Sequence, residues 1–238
     1  FFLPNSQTGT SLRGSREAVA LAGAHPGLLF ATVGIHPHDA SAATPAALAE
    51  LEEMARSNPR VVAVGETGLD YNRDFSPRDT QRQWFEAQVD LACRVGKPLF
   101  LHEREAHEDF VRVLTARPNL PPVCVHCFTG SEAELRAYVG LGYYIGVTGF
   151  LAMERRGKAL RECLAAIVPL DRLMIETDGP FMAPDNTPLL QARRNEPYTL
   201  PVLVDRLSQL YGTTPEAVAQ ATTANARRFF GLPAATSS

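Results

Sequence analysis

The chain has 238 residues, enough for one α/β barrel or for two small domains. Hydrophobic residues make up 45% and charged residues 21%, the balance of an ordinary globular core, and no apolar run is long enough to cross a membrane. The formal charge of -3 excludes a global basic field, so a nucleic-acid substrate would need a local basic patch.

In chain order, short apolar runs alternate with helical patterns. The runs lie at residues 1–3, 28–33, 61–64, 98–101, 123–125, 143–147 and 173–175, spaced like βαβ units. Thr44 before Pro45 reads as an N-cap with Pro in the first helical position, followed by Leu48, Leu51 and Ala55 on one face. From Thr80, Phe85, Val89, Ala92 and Val95 recur at helical spacing until Gly96 and Pro98 stop the helix. Ser131 with Glu134 is a capping box, and Gly142 ends that helix. Past residue 178 comes a Pro/Asn-rich loop, residues 180–197. Helices are predicted over 201–211 and 215–229, the second capped by Thr214. Cys93, Cys124, Cys127 and Cys163 form no disulfide framework and point to a reduced, intracellular, cytoplasmic setting.

Four of the runs close on a residue able to bind metal. These are Glu66 after Val61 to Gly65, His102 after Pro98 to Leu101, His126 after Pro122 to Val125, and Asp178 after Leu173 to Thr177. Buried parallel strands read as continuous apolar runs, and in a parallel barrel all strand C-termini open on one face. An open sheet gathers its ligands at one switch point, whereas these four recur on four strands. The pattern predicts a TIM-type (β/α)8 barrel in one domain, residues 1–238, with Glu66, His102, His126 and Asp178 around a divalent metal. Oxygen and nitrogen donors without thiolate suit one or two ions of Mg, Mn or Zn. Asp178 can also take a proton from an attacking water. Cys124-x-x-Cys127 has no second pair; Cys124 reads as small core filler and Cys127 as lining the site rim. His36, Arg194 (with Arg193 and Asn195) and Phe128 (with Phe150) are candidates for phosphate or base contacts, beside ordinary packing or solvated roles.

In this order the motifs resemble the TatD family of metal-dependent deoxyribonucleases, within the amidohydrolase-like barrels. The carrying stretches are Gly34-Ile35-His36-Pro37-His38, Gly65-Glu66-Thr67-Gly68-Leu69-Asp70-Tyr71, Leu101-His102-Glu103-Arg104-Glu105-Ala106, Val125-His126-Cys127-Phe128-Thr129-Gly130, Ile175-Glu176-Thr177-Asp178-Gly179-Pro180 and Arg193-Arg194-Asn195-Glu196-Pro197. The resemblance implies the same four metal ligands, with Glu66 as the bridging carboxylate and Glu66 and Asp178 as catalytic residues. It implies phosphodiester hydrolysis, typically 3′-to-5′ trimming of single-stranded DNA or 3′ ends. Family members usually carry a ligand pair, often His-x-His, on a first strand. No such pair stands before residue 34, so the chain is expected to begin at the second strand. A barrel hydrolase of amide, ester or lactone bonds, or an inactive truncated relative, are the alternatives; no Lys ends a predicted strand to bridge two metals.

Overall fold

The computed structural model of the chain describes residues 5–185 and 194–232. The chain divides into two compact units, Phe1–Cys124 and Val125–Ser238. In the first, four parallel strands alternate with helices: β1 (Asn5–Gln7), α1 (Leu12–Ala24), β2 (Leu29–Val33), α2 (Pro45–Ser57), β3 (Val61–Asp70), α3 (Arg78–Val95), β4 (Leu99–Arg104) and α4 (His107–Thr115). β1 pairs with β2, β2 with β3 and β3 with β4. The helices start where side chains accept the unpaired first-turn amides. Ser11 accepts from the Gly14 amide and Thr44 from the Ala47 amide, each at 3.1 Å. Gly96, in the left-handed region, closes α3. The core is built from fully buried Ala31, Val61, Leu99 and Leu101 of the strands and Leu91 and Ala92 of α3, with Phe85 stacked on Phe110 of α4.

β3 runs further than its apolar run predicts. The expected end at Glu66 is instead mid-strand, because the ladder resumes at Thr67↔Leu101 and continues through Gly68↔His102 to Asp70↔Arg104. The register slips between Val64 and Thr67. Here β3 presses on β4. A Cβ on Gly65 would collide with the Phe100 carbonyl, and one on Gly68 with the His102 carbonyl. Both glycines also have a φ near +145° that a side chain would resist, 144° and 147° respectively. Two glycines thus hold Glu66 and His102 on adjacent, closely apposed strands.

β5 (Val123–Val125) leads into the second unit, which holds α5 (Glu132–Gly140), β6 (Tyr144–Val147), α6 (Lys158–Ile167), β7 (Leu173–Ile175), α7 (Leu200–Tyr211) and α8 (Pro215–Phe230). β6 and β7 are parallel in the register Ile145↔Leu173. The predicted capping box is present: Ser131 and Glu134 each accept from the other's backbone amide. Thr214 caps α8 as expected. Asn225 of α8, itself buried, donates to the carbonyls of Leu170 and Leu173 at 2.8 Å and so fastens the helix to β7. The first predicted strand, residues 1–3, lies outside the described residues; the strand in that part of the chain is β1. No described helix is long and apolar enough to cross a membrane.

Candidate metal centre

In the first unit, the loop after β2, the middle of β3 and β4 bring His36, Glu66 and His102 together. One ligand atom from each lies within 4.8 Å of the others. Glu66 Oε1 is 3.2 Å from His36 Nε2 and 3.2 Å from His102 Nδ1. The backbone around them is pinned from α3. Gln88 accepts the Ile35 amide at 2.7 Å and donates to the Ile35 carbonyl at 3.1 Å, fixing the residue before His36. One heptad earlier, Gln81 accepts the Asp70 amide at 2.8 Å and donates to the carbonyls of Asp70 and Ser76. Both glutamines are buried, so each substitutes for water at backbone groups beyond the sheet ladder.

Asp70 is buried beneath the cluster. Its Oδ1 accepts the amides of Asn72 and Arg73, and its Oδ2 faces His38 Nε2 at 2.8 Å and His102 Nε2 at 3.2 Å. Burial works to raise its carboxyl, but hydrogen bonds from His102, the Arg73 amide and His38 outweigh that and hold it far below the usual carboxylate range. An ionised carboxylate only accepts, so His38 and His102 each present an Nε2–H to it. Whenever His102 is neutral, Nδ1 is its unprotonated nitrogen, and that atom faces Glu66. His36 is oriented the other way. Its Nδ1 accepts the His38 amide at 3.1 Å, which places its proton on Nε2, facing Glu66. Burial lowers the His36 pKa against the pull of Glu66, so the neutral form is favoured.

Glu66 Oε1 and His102 Nδ1 stand 3.2 Å apart, a gap that either a proton on Nδ1 or a divalent cation can bridge. Glu66 and His102 therefore fit a divalent ion that takes oxygen and nitrogen donors. His36, with its proton on the Glu66 side, fits the role of hydrogen-bond donor to Glu66 or to a phosphate, the contact its sequence position suggested.

In the second unit, His126 follows β5 and is buried. Its Nδ1 lies 3.3 Å from Glu176 Oε2, while Glu176 Oε1 accepts the Cys127 amide at 2.7 Å. This bond leaves Nε2 as the nitrogen that would meet a metal. Asp178 stands three residues beyond β7 in the left-handed region, φ 55°, and its carbonyl accepts the Phe181 amide at 2.8 Å.

Residues 5–231 match the family described as TatD related DNase. The chain belongs to this family. It is 46% identical over 229 residues to the 3′-5′ ssDNA/RNA exonuclease TatD of Erwinia billingiae, covering 95% of this chain and 87% of that protein. The protein of the same name from Edwardsiella piscicida is also 46% identical over 229 residues, covering 94% of this chain and 86% of the other. The crystal structure of YJJV, a TatD homolog from Escherichia coli K12, matches with a TM-score of 0.87 at 30% identity, covering 97% of this chain and 87% of that one. The fold is thus that of the TatD-type TIM barrel, as the strand pattern predicts. An organophosphorus hydrolase from Deinococcus radiodurans, 19% identical with a TM-score of 0.60, covers 92% of this chain and 74% of that one and shares the fold alone.

Three of the substrate candidates make packing or loop contacts in this TatD family member. Phe128 is buried and meets Tyr138 edge-on, so its ring packs in the core instead of offering a face to a base. Phe150 is likewise buried, with the Arg156 guanidinium over it. Asn195 is also buried. Its amide donates to the carbonyls of Thr177 and Met182, and its oxygen accepts from the Glu196 amide and the Thr199 hydroxyl, which uses its full bonding capacity. It fastens the loop that carries Asp178 and is not available to substrate. Arg194 is exposed, and Arg193 lies outside the described residues. The sequence reading missed Asp70, His38, Gln81, Gln88 and Glu176. His38, Asp70 and Glu176 stood inside the quoted motifs; each meets its partner only through long-range pairing, which local sequence does not report. Phe75 was missed too: it is 67% exposed and edge-on to His38, ring centroids 4.7 Å apart.

Proposed function

We propose that the chain is a metal-dependent 3′-to-5′ exonuclease of single-stranded nucleic acid. The observation that carries this is 46% identity to proteins named for that activity, over nearly the whole chain. The donor set of Glu66 and His102 supports it. These two residues would hold a divalent ion, Mg, Mn or Zn, in the first unit, and His126 and Asp178 would serve as metal ligands in the second. When bound, the metal supplies Lewis-acid polarisation of a phosphodiester oxygen and an acidified water. The protein's part is orientation and proton handling. His36 donates through Nε2–H, Asp70 and Glu176 fix the rings of His102 and His126, and the Asp178 carboxylate accepts the proton of the attacking water. Phe75 offers a stacking face to a base, and Arg194 a charge to the phosphate backbone.

The test is incubation of a 5′-labelled single-stranded oligonucleotide with the protein and Mg or Mn. A ladder shortening one nucleotide at a time from the 3′ end, abolished by chelator, is the expected result. Internal cuts, or cleavage unaffected by chelator, would overturn the proposal.

A further inference from the structure

Asp70 touches the candidate centre through the His102 ring, on the edge opposite Glu66. We infer that Asp70 is a positioning residue that locks His102 as its Nε2–H tautomer and thereby presents Nδ1 to a metal shared with Glu66. The inference rests on the reading of Glu66 and His102 as metal ligands.

Three observations carry it. First, Asp70 is itself immobilised. Its own amide and carbonyl are gripped by Gln81, and Oδ1 takes two amides of the turn that follows. Second, its remaining oxygen, Oδ2, meets two imidazoles, both through Nε2, at 2.8 and 3.2 Å. A buried anion that accepts from both cannot tolerate the other neutral tautomer of His102, which would set an unprotonated nitrogen against a carboxylate. Third, the opposite edge of the same His102 ring faces Glu66. One ring therefore lies between two carboxylates, and the buried, hydrogen-bonded one decides which nitrogen is offered to the other. Outer-shell carboxylates of this kind set ring orientation and raise ligand basicity, and removing them commonly weakens metal binding 10–100-fold. His38 shares Oδ2 and braces it from the other side. Its carbonyl accepts the Ser76 hydroxyl at 3.0 Å, so the loop carrying His36 is tied to the same anchor.

Asp70→Asn separates the charge from the shape. The amide oxygen can keep the two turn amides, while its NH2 group would face His102 and call for an unprotonated Nε2. The proton of His102 then moves to Nδ1, onto the metal side. Long-range 15N–1H spectra of the metal-free protein at pH 8, with His102 assigned from the His102→Gln spectrum, read the tautomer directly. The expected wild-type spectrum has a proton on His102 Nε2, with or without a second on Nδ1. In Asp70→Asn the neutral ring carries it on Nδ1. Titration with Mn followed by electron paramagnetic resonance is expected to show affinity 10–100-fold weaker in Asp70→Asn.

A wild-type His102 protonated on Nδ1 alone would overturn the inference, as would a folded Asp70→Asn with Mn affinity within about twofold of wild type. If the variant does not fold, the wild-type spectrum decides. Neither readout uses nuclease activity. A protein that binds Mn in an Asp70-dependent way yet cleaves no nucleic acid would sink the proposed function and leave this inference standing. An active nuclease with the wrong tautomer would do the reverse.

Discussion

Gln81→Met removes three hydrogen bonds and almost no volume. The Gln81 side chain is buried and accepts the Asp70 amide at 2.8 Å, while donating to the Ser76 carbonyl at 2.8 Å and the Asp70 carbonyl at 3.1 Å. The Asp70 carbonyl keeps a long bond from the Asp74 amide, 3.4 Å, so its loss is partial. The Asp70 amide and the Ser76 carbonyl lose the bonds Gln81 supplies. A buried backbone group left without its partner costs about 1–3 kcal/mol. Methionine fills nearly the same space, so little is added for a cavity. The sum is about 3 kcal/mol, a large share of the ~5–15 kcal/mol by which proteins of this kind are stable. For a chain of this length that corresponds to a melting point about 6–12 °C lower. Urea unfolding followed by circular dichroism measures the first figure and a thermal scan the second. A loss below about 1 kcal/mol would refute the reasoning, because it would mean that these backbone groups find other partners at little cost. Asp70 should also shift, so Mn affinity measured well below the melting point should fall.

Asp178→Asn is expected to cut hydrolysis of labelled single-stranded DNA by at least ~10²-fold with an unchanged circular dichroism spectrum, the scale on which a positioned acid–base group acts; activity within a few fold of wild type would remove Asp178 from the reaction. Gly68→Ala sets a Cβ into the His102 carbonyl at a φ of 147°, so a stability loss of at least ~2 kcal/mol in urea unfolding is expected, and a neutral substitution would show that β3 and β4 can part there. Phe75→Ala should raise KM for an oligonucleotide by about tenfold through lost stacking while leaving kcat nearly unchanged. An unaltered KM would exclude Phe75 as a base platform.

Much of this fold could be read because buried parallel strands are written as apolar runs. Those at 61–64, 98–101, 123–125, 143–147 and 173–175 all lie in or at strands, and the metal-binding candidates were found by asking what closes each run. Polar residues buried by specific pairing leave no such pattern in the sequence. Gln81 and Gln88 lie on the core face of α3, yet glutamine in a sequence reads as a solvated position. Their burial is explained only by the backbone groups of Asp70 and Ile35 that they satisfy. The extension of β3 to Asp70 was hidden for a related reason. Gly65 and Gly68 look like strand breakers, but their missing side chains permit the close approach to β4. The aromatic residues could not be sorted into packing and exposed roles because local sequence does not report exposure. Phe128 and Phe75 both follow strand ends within a few residues, and tertiary packing buries the first against Tyr138 and leaves the second facing solvent.

The central claim is that a metal held by Glu66 and His102 is what makes this TatD family member a hydrolase. Glu66→Gln keeps the shape of the side chain and removes its charge. The decisive measurement is metal content per chain by elemental mass spectrometry, taken on the same wild-type and Glu66→Gln samples whose 3′-to-5′ hydrolysis is assayed. The account predicts that bound metal and hydrolysis are lost together in the variant, with the fold intact by circular dichroism. A variant that loses its metal and still trims DNA at the wild-type rate would contradict it.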